Sequence, residues 1–165
     1  MPILTLPEMK TALPRHCRLL GLDLGSKTIG LALSDVMATI ATPMETIKRT
    51  KFTKDAITLA SIIKDQNVGG LVLGLPVEMD GSEGARCQST RQFATNLGPV
   101  FADNGIPDIA LSFWDERLST VAVERVLINE ADMTRKRRAD VVDKAAAAWI
   151  LQGALDALAH LSSDG

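Results

Sequence analysis

The chain has 165 residues, 46% of them hydrophobic and 23% charged, with a formal net charge of −2. This suits one domain with a real core and excludes a chain disordered throughout. The few soft ligands (Cys17, Cys87, His16 and His160) give no disulfide framework or zinc-ligand spacing and little support for histidine-centred catalysis. The slightly acidic balance argues against a polyanion binder unless bound cations offset a group of acids.

Residues 1–16 carry Pro2, Pro7 and Pro14 and lack a basic start followed by an apolar run. They read as a loose N-terminal extension rather than a secretory leader, ahead of a single domain over 17–161. No apolar run approaches the ~20 residues of a membrane span, so a cytoplasmic location without membrane contact is expected. Arg18–Leu24 reads as a buried strand, Gly25-Ser26-Lys27 as a tight turn, and Thr28–Ser34 as a strand alternating Ile29, Leu31 and Leu33 with small residues. A third strand falls within Ala41–Thr50 and completes an antiparallel meander.

The period then changes. Ala56, Leu59, Ala60 and Ile63 predict a helix over Thr53–Gln66, ended by Asn67–Gly70. Leu71–Leu75 reads as a short strand. Ser82 is the expected cap of a long helix with Glu83 in its first turn, buried stripe Phe93, Ala94, Leu97, Val100 and Phe101, and a stop at Asn104-Gly105. Ile109–Trp114 is the next strand and Ser119–Asn129 a further helix. Ala131–Arg138 reads as a polar basic loop, and Ala139–His160 as a final, largely apolar and buried helix. Strands joined by helices after the meander should lie parallel to the first, giving an α/β fold with a mixed five-stranded sheet flanked by helices.

Three acidic positions stand at the ends of these elements. Asp23 lies within the apolar run Leu20–Gly25, where a buried carboxylate needs a cation or strong hydrogen bonds. The alternative is a turn aspartate that satisfies backbone groups near Gly25. Asp115-Glu116-Arg117 follows directly on a strand whose carboxyl end should share an edge with Asp23; a surface ion pair to Arg117 is the plainer reading. Asp143 lies in the first turns of the last helix with Asp140 three residues before it, on roughly the same face. Their repulsion would be relieved by a divalent cation; otherwise Asp140 only caps the helix. Hard oxygen ligands select Mg²⁺ or Mn²⁺, and two such ions would suit phosphodiester hydrolysis.

Four segments in order carry a family resemblance: Gly21–Gly30 with Ala32–Asp35; Gly74-Leu75-Pro76 with Met79–Gly84; Trp114–Thr120; and Asp143–Ala146 with Ile150-Leu151-Gln152. Together, over about residues 18–158, they resemble the motifs of the YqgF family, also called RuvX. The resemblance implies an RNase H-like fold related to Holliday-junction resolvases. It implies a nuclease that matures the 5′ end of pre-16S rRNA, with junction resolution on branched DNA as the older alternative. It places the metal-binding catalytic acids at Asp23, Glu116 and Asp143; Asp140 is added as a ligand from local spacing alone. Thr28 stands where the family commonly has arginine, which puts a phosphate contact there in doubt.

Lys27, Arg117 and the cluster Arg135, Lys136, Arg137 and Arg138 are the candidate phosphate contacts, with Lys48, Arg49, Lys51 and Lys54 extending the footprint. Two rival readings remain. Asp23–Lys27 is also similar to the first phosphate loop of actin-like ATPases, but this chain has room for only one of their two domains. A noncatalytic nucleic-acid-binding module is the other. RNA against DNA, a ribosomal particle as partner, and monomer against weak dimer are left open by the sequence.

Overall fold

The computed structural model describes the backbone of residues 1–118 and 135–163, and the side chains of 1–118 and 145–161. The elements are α1 (Leu6–Ala12), β1 (Arg18–Leu24), β2 (Thr28–Ser34), β3 (Ala41–Lys48), α2 (Phe52–Asp65), β4 (Val68–Leu75), α3 (Ala85–Asp103), β5 (Ala110–Asp115) and α4 (Arg135–Ser163). The sheet order is β3-β2-β1-β4-β5. The meander pairs antiparallel, and β4 and β5 run parallel to β1, as their helical connections require. The helix predicted over Ser119–Asn129 lies outside the described residues.

Period-two alternation divides β1 between two cores. Leu20 and Leu22 pack with α2 and α3, whereas Leu19 faces the opposite side with Val72, Met9 and the apolar stripe of α4. Gly21 and Asp23 share the α4 face with Leu19. A Cβ on Gly21 would lie 2.7 Å from Leu151 Cβ, and one on Gly153 would lie 2.7 Å from the Trp114 ring. Small residues on both partners thus bring α4 down onto the strands. The final helix is buried along a stripe rather than all round, since Asp156, Ala159 and His160 are exposed.

Lys10 Nζ donates to Leu158 O at 2.9 Å, which ties the end of α4 to α1, near the start of β1. Ala147 lies above Gly21. The helix therefore runs antiparallel to β1, and its N-terminal turns head toward the carboxyl ends of β1 and β4. Gln152 fixes its register: the Ala41 N–H donates to Gln152 Oε1 at 2.9 Å, and Gln152 Nε2 donates to Thr39 O at 3.0 Å. Gln152→Ala removes both bonds and is expected to cost about 1–2 kcal/mol, read as a lower urea midpoint with unchanged slope.

Residues 1–16 are not a loose extension. Ile3 bridges Leu111 on the open side of β5, the Leu4 N–H donates to Leu111 O at 2.8 Å, and the Leu111 N–H donates to Pro2 O at 2.9 Å. Thr5 and Glu8 form a reciprocal capping box that starts α1, and Met9 is fully buried. The prolines mislead because Pro7 occupies the first helical turn, where a missing N–H costs nothing.

Three boundaries also move. β4 begins at Val68, because Gly69 and Gly70 are strand residues under Cys17 and Leu13 rather than turn residues. Ser82 does not cap α3: its N–H and hydroxyl donate to Asp80 Oδ1 at 2.9 and 2.6 Å, and Gly84 is the N-cap. Glu83 precedes the helix and pairs with Arg91 at 2.6 Å. Finally, α4 starts at Arg135, so the cluster over residues 135–138 is helical rather than a loop, consistent with the helix propensity of arginine and lysine. Asp140 then stands inside the helix and is not its N-cap.

Candidate functional site

The site builds outward from Asp23, the penultimate residue of β1, which is 3% exposed. Leu22 of β1 aligns with Leu73 of β4, so Asp23 is level with Gly74, one strand spacing away. Gly74 in turn aligns with Trp114 of β5. A Cβ on Gly74 would lie 3.0 Å from Glu116 Oε1 and collide with Ile150 of α4. Glu116, half-buried in the 3₁₀ turn Glu116–Leu118, therefore folds its carboxylate back over β4 on the α4 face. That face is also the one Asp23 occupies. Two predicted acids, one on β1 and one in the turn after β5, thus lie on the same face at the carboxyl edge of the sheet, where functional groups of such sheets gather.

Asp143 and Asp140 lie on the backbone of α4, but their side chains are outside the described residues, as are those of Arg135, Lys136, Arg137 and Arg138. Among the described residues no three histidine, cysteine or acidic side chains converge as a metal cage. Asp23 and Glu116 are hard oxygen donors on one face, the first almost fully buried, and the missing side chain of Gly74 leaves room for the Glu116 carboxylate. That donor chemistry fits Mg²⁺ or Mn²⁺ and not zinc.

Arg117 is exposed and committed to its neighbour. Its Nε and Nη2 donate to Asp115 at 3.1 and 2.7 Å, and its backbone N–H donates to Asp115 Oδ1 at 2.9 Å. The plain ion-pair reading of this turn is thus present alongside the site, with Asp115 rather than Glu116 as the acid. The Arg117 hydrogen bonds hold the Asp115 carboxyl below its ordinary value. A depressed acid contributes stability above its unfolded pKa and loses it as pH falls through the folded value. Arg117→Gln is therefore expected to lower the melting temperature above about pH 4, near the ordinary aspartate value, and to converge with wild type in stronger acid. A melting series against pH checks this.

Lys27 is exposed in the β1–β2 turn. The turn is braced by Arg49, whose backbone N–H donates to Lys27 O at 2.9 Å and whose Nη1 donates to Gly25 O at 2.7 Å. Sequence reasoning gave Arg49 only a general place in a basic footprint and did not assign Gly74 a role. The signal for Gly74 was present as an isolated glycine within an apolar strand, which marks close approach by another group.

The mixed five-stranded sheet with its flanking helices defines an RNase H-like architecture. Its likeness extends to the yeast mitochondrial Holliday junction resolvase Ydc2 (TM-score 0.52, 13% identity, 96% of this chain and 88% of that one). It extends also to T. thermophilus RuvC in complex with Holliday junction substrate (TM-score 0.50, 13% identity, 86% of this chain and 95% of that one). At this identity the likeness is one of fold.

Residues 17–157 match the family described as "RuvX: Holliday junction resolvase", and the chain belongs to that family. A protein of Paramagnetospirillum magneticum named "Putative pre-16S rRNA nuclease" is 64% identical over 94% of this chain and 96% of its own length. A relative of the same name in Rhodospirillum rubrum is 60% identical over 96% of this chain and 94% of its length. The family expectation of a hydrolase acting on phosphodiester bonds is met at this level. Among the described residues no helix is long and apolar enough to cross a membrane.

Proposed function

We propose that this chain hydrolyses phosphodiester bonds at the 5′ end of precursor 16S ribosomal RNA, using Mg²⁺ or Mn²⁺ held by Asp23, Glu116 and Asp143. The observation that carries the reading is the placement of a 3%-exposed Asp23 beside the back-folded Glu116 at the carboxyl edge of the sheet. A buried carboxylate with a second one folded back toward it over the adjacent strand favours a bound cation. Helical spacing supports the third ligand: position 143 is one turn before Ala147, which lies over Gly21, and α4 runs toward the Asp23 end. Asp140 is one further turn away and is kept as a supporting ligand.

When bound, the metal ions lower the pKa of water and neutralise charge on the phosphoryl oxygens and the leaving oxygen. The water oxygen forms the new P–O bond, the bond to the leaving oxygen breaks, and the water proton balances the leaving group. Asp23 and Glu116 hold the charge at the centre of the site. Lys27, Arg117 and Arg135–Arg138 position flanking phosphates, so binding weakens as salt rises. Arg117 contributes only by sharing itself with Asp115. The protein acts in the cytoplasm, as a monomer or weak dimer, on free RNA or on ribosomal particles.

The names of the relatives favour RNA, while the family description and the resolvase-like fold favour a second reading, cleavage of branched DNA. Precursor 16S RNA and a four-way DNA junction are offered separately with Mg²⁺, Mn²⁺ or EDTA. Cleavage of the RNA alone, abolished by EDTA, is the expected result. Cleavage of the junction alone transfers the conclusion to the second reading, and cleavage that survives EDTA rejects the metal mechanism.

A further inference from the structure

A cleft of about 230 Å³ opens at the carboxyl edge of the sheet, between the β1–β2 turn and the start of α3. Gly25 and Ser26 line one side, Arg86 and Ser89 the other, and Arg49 closes it. Leu24 also lines it, so the cleft belongs to the α3 side of the sheet, whereas Asp23 faces α4. It begins two residues beyond Asp23, about 7 Å along an extended chain, comparable to the spacing of successive phosphates in a nucleic-acid strand.

Two observations give the cleft a chemistry. Arg49 is oriented before any ligand arrives: Nη1 donates to Gly25 O at 2.7 Å, and its guanidinium lies 5.8 Å from the centre of the Phe93 ring. Phe93 is itself held edge-on by Phe52 at 5.4 Å. A guanidinium fixed in this way loses little freedom on binding, and its other donors remain available. Around it Lys27, Lys48, Lys51, Lys54 and Arg86 are all exposed, and none makes an ion pair among the described residues. The only nearby acid of α2, Asp55, is buried and accepts from Thr50. In a chain of net charge −2, this edge carries Lys27, Lys48, Arg49, Lys51, Lys54 and Arg86 against Glu78, which reaches Gly84 beside the cleft, and Glu83, which is paired with Arg91.

We propose that the cleft binds the backbone phosphate next to the scissile one, with Arg49 and Arg86 as its ligands, so that the substrate strand crosses the sheet edge over the Gly25–Ser26 turn. The inference rests on the nuclease reading for its orientation, but its test reads binding and not turnover.

Arg86→Gln is the clean variant, since the Arg86 side chain makes no hydrogen bond within the described residues. Arg49→Lys keeps the charge but cannot both brace Gly25 and reach a ligand. Arg15→Gln, exposed at the opposite edge, removes the same charge as a control. Anisotropy of a labelled single-stranded oligonucleotide is measured in EDTA over a salt series. Arg86→Gln is expected to weaken binding severalfold and to lower the slope of log affinity against log salt by about 0.7, the value of one lost phosphate contact. Arg15→Gln should leave both unchanged. A single neutral methylphosphonate linkage at the contacted position should weaken wild type and not Arg86→Gln. Equal binding by Arg86→Gln and wild type, or equal losses in Arg86→Gln and Arg15→Gln, would overturn the subsite. If Arg86→Gln behaves as expected while no substrate is cleaved, the subsite stands and the nuclease reading falls.

Discussion

Asp23→Asn is expected to lower the cleavage rate about 10³-fold, equivalent to roughly 4 kcal/mol of lost transition-state stabilisation, while leaving the fold intact. Asparagine has nearly the same shape, so the packing against α4 survives. What disappears is one negative charge at a 3%-exposed position beside Glu116. The melting temperature of each protein in EDTA is the reference. Adding Mg²⁺ should then raise the melting temperature of wild type and leave the variant nearly unmoved, because only the form that binds the ion is stabilised. Cleavage retained at the wild-type rate would remove Asp23 from the chemistry. Loss of cleavage with an unchanged Mg²⁺ response would move Asp23 from metal ligand to some other role.

Gly74→Ala should damage the same site from beneath. The new Cβ would meet Glu116 Oε1 at 3.0 Å and the Ile150 side chain of α4 more closely still, so both side chains must shift. Overpacking of this kind costs about 1–3 kcal/mol, and a displacement of about 1 Å in a catalytic group costs on the order of 10²-fold in rate. Gly21→Ala is the informative partner. Its Cβ would meet Leu151 Cβ at 2.7 Å and the Ala147 carbonyl oxygen at 3.0 Å, which presses on the helix backbone and not on a carboxylate. It should cost more stability than Gly74→Ala, whose new Cβ meets only the Glu116 carboxylate and the Ile150 side chain. Urea midpoints and single-turnover rates on both variants check the pair. A Gly74→Ala protein with wild-type turnover would detach Glu116 from the reaction.

Where hydrophobic period decided the structure, the sequence was readable. The alternation of Ile29, Leu31 and Leu33 and the helical spacing of Leu59, Ala60 and Ile63 correspond to β2 and α2 within a residue or so. Asp23 was legible because a carboxylate in so apolar a strand demands a reason. Residue types alone narrow the second acid only to a three-residue turn; the family resemblance singles out Glu116, and local pairing gives its neighbour Asp115 to Arg117. What escaped was set by contacts distant in sequence. Gly69 and Gly70 look like turn glycines until Cys17 and Leu13 are laid across them. Ser82 looks like a cap until Asp80 takes its hydrogen bonds. The Thr5–Glu8 capping box was visible in principle and was outweighed by the prolines around it. The charged cleft could not have been found from the chain alone, because Arg49 and Arg86 become neighbours only when β3 and α3 meet at one edge.

The pairing of Ile3 with Leu111 has a consequence for how the molecule is kept from its own kind. A sheet left open at β5 would offer a row of unpaired N–H and C=O groups to any other strand, the usual starting point for fibrous self-association. The opposite rim, β3, carries Pro43, Glu45 and Lys48, which discourage such docking on their own. β5, reading Ala-Leu-Ser-Phe-Trp-Asp, has little of that protection and depends on the first few residues of the chain to cover it. A preparation trimmed to begin near residue 17 would keep every proposed catalytic group and yet be the one to precipitate.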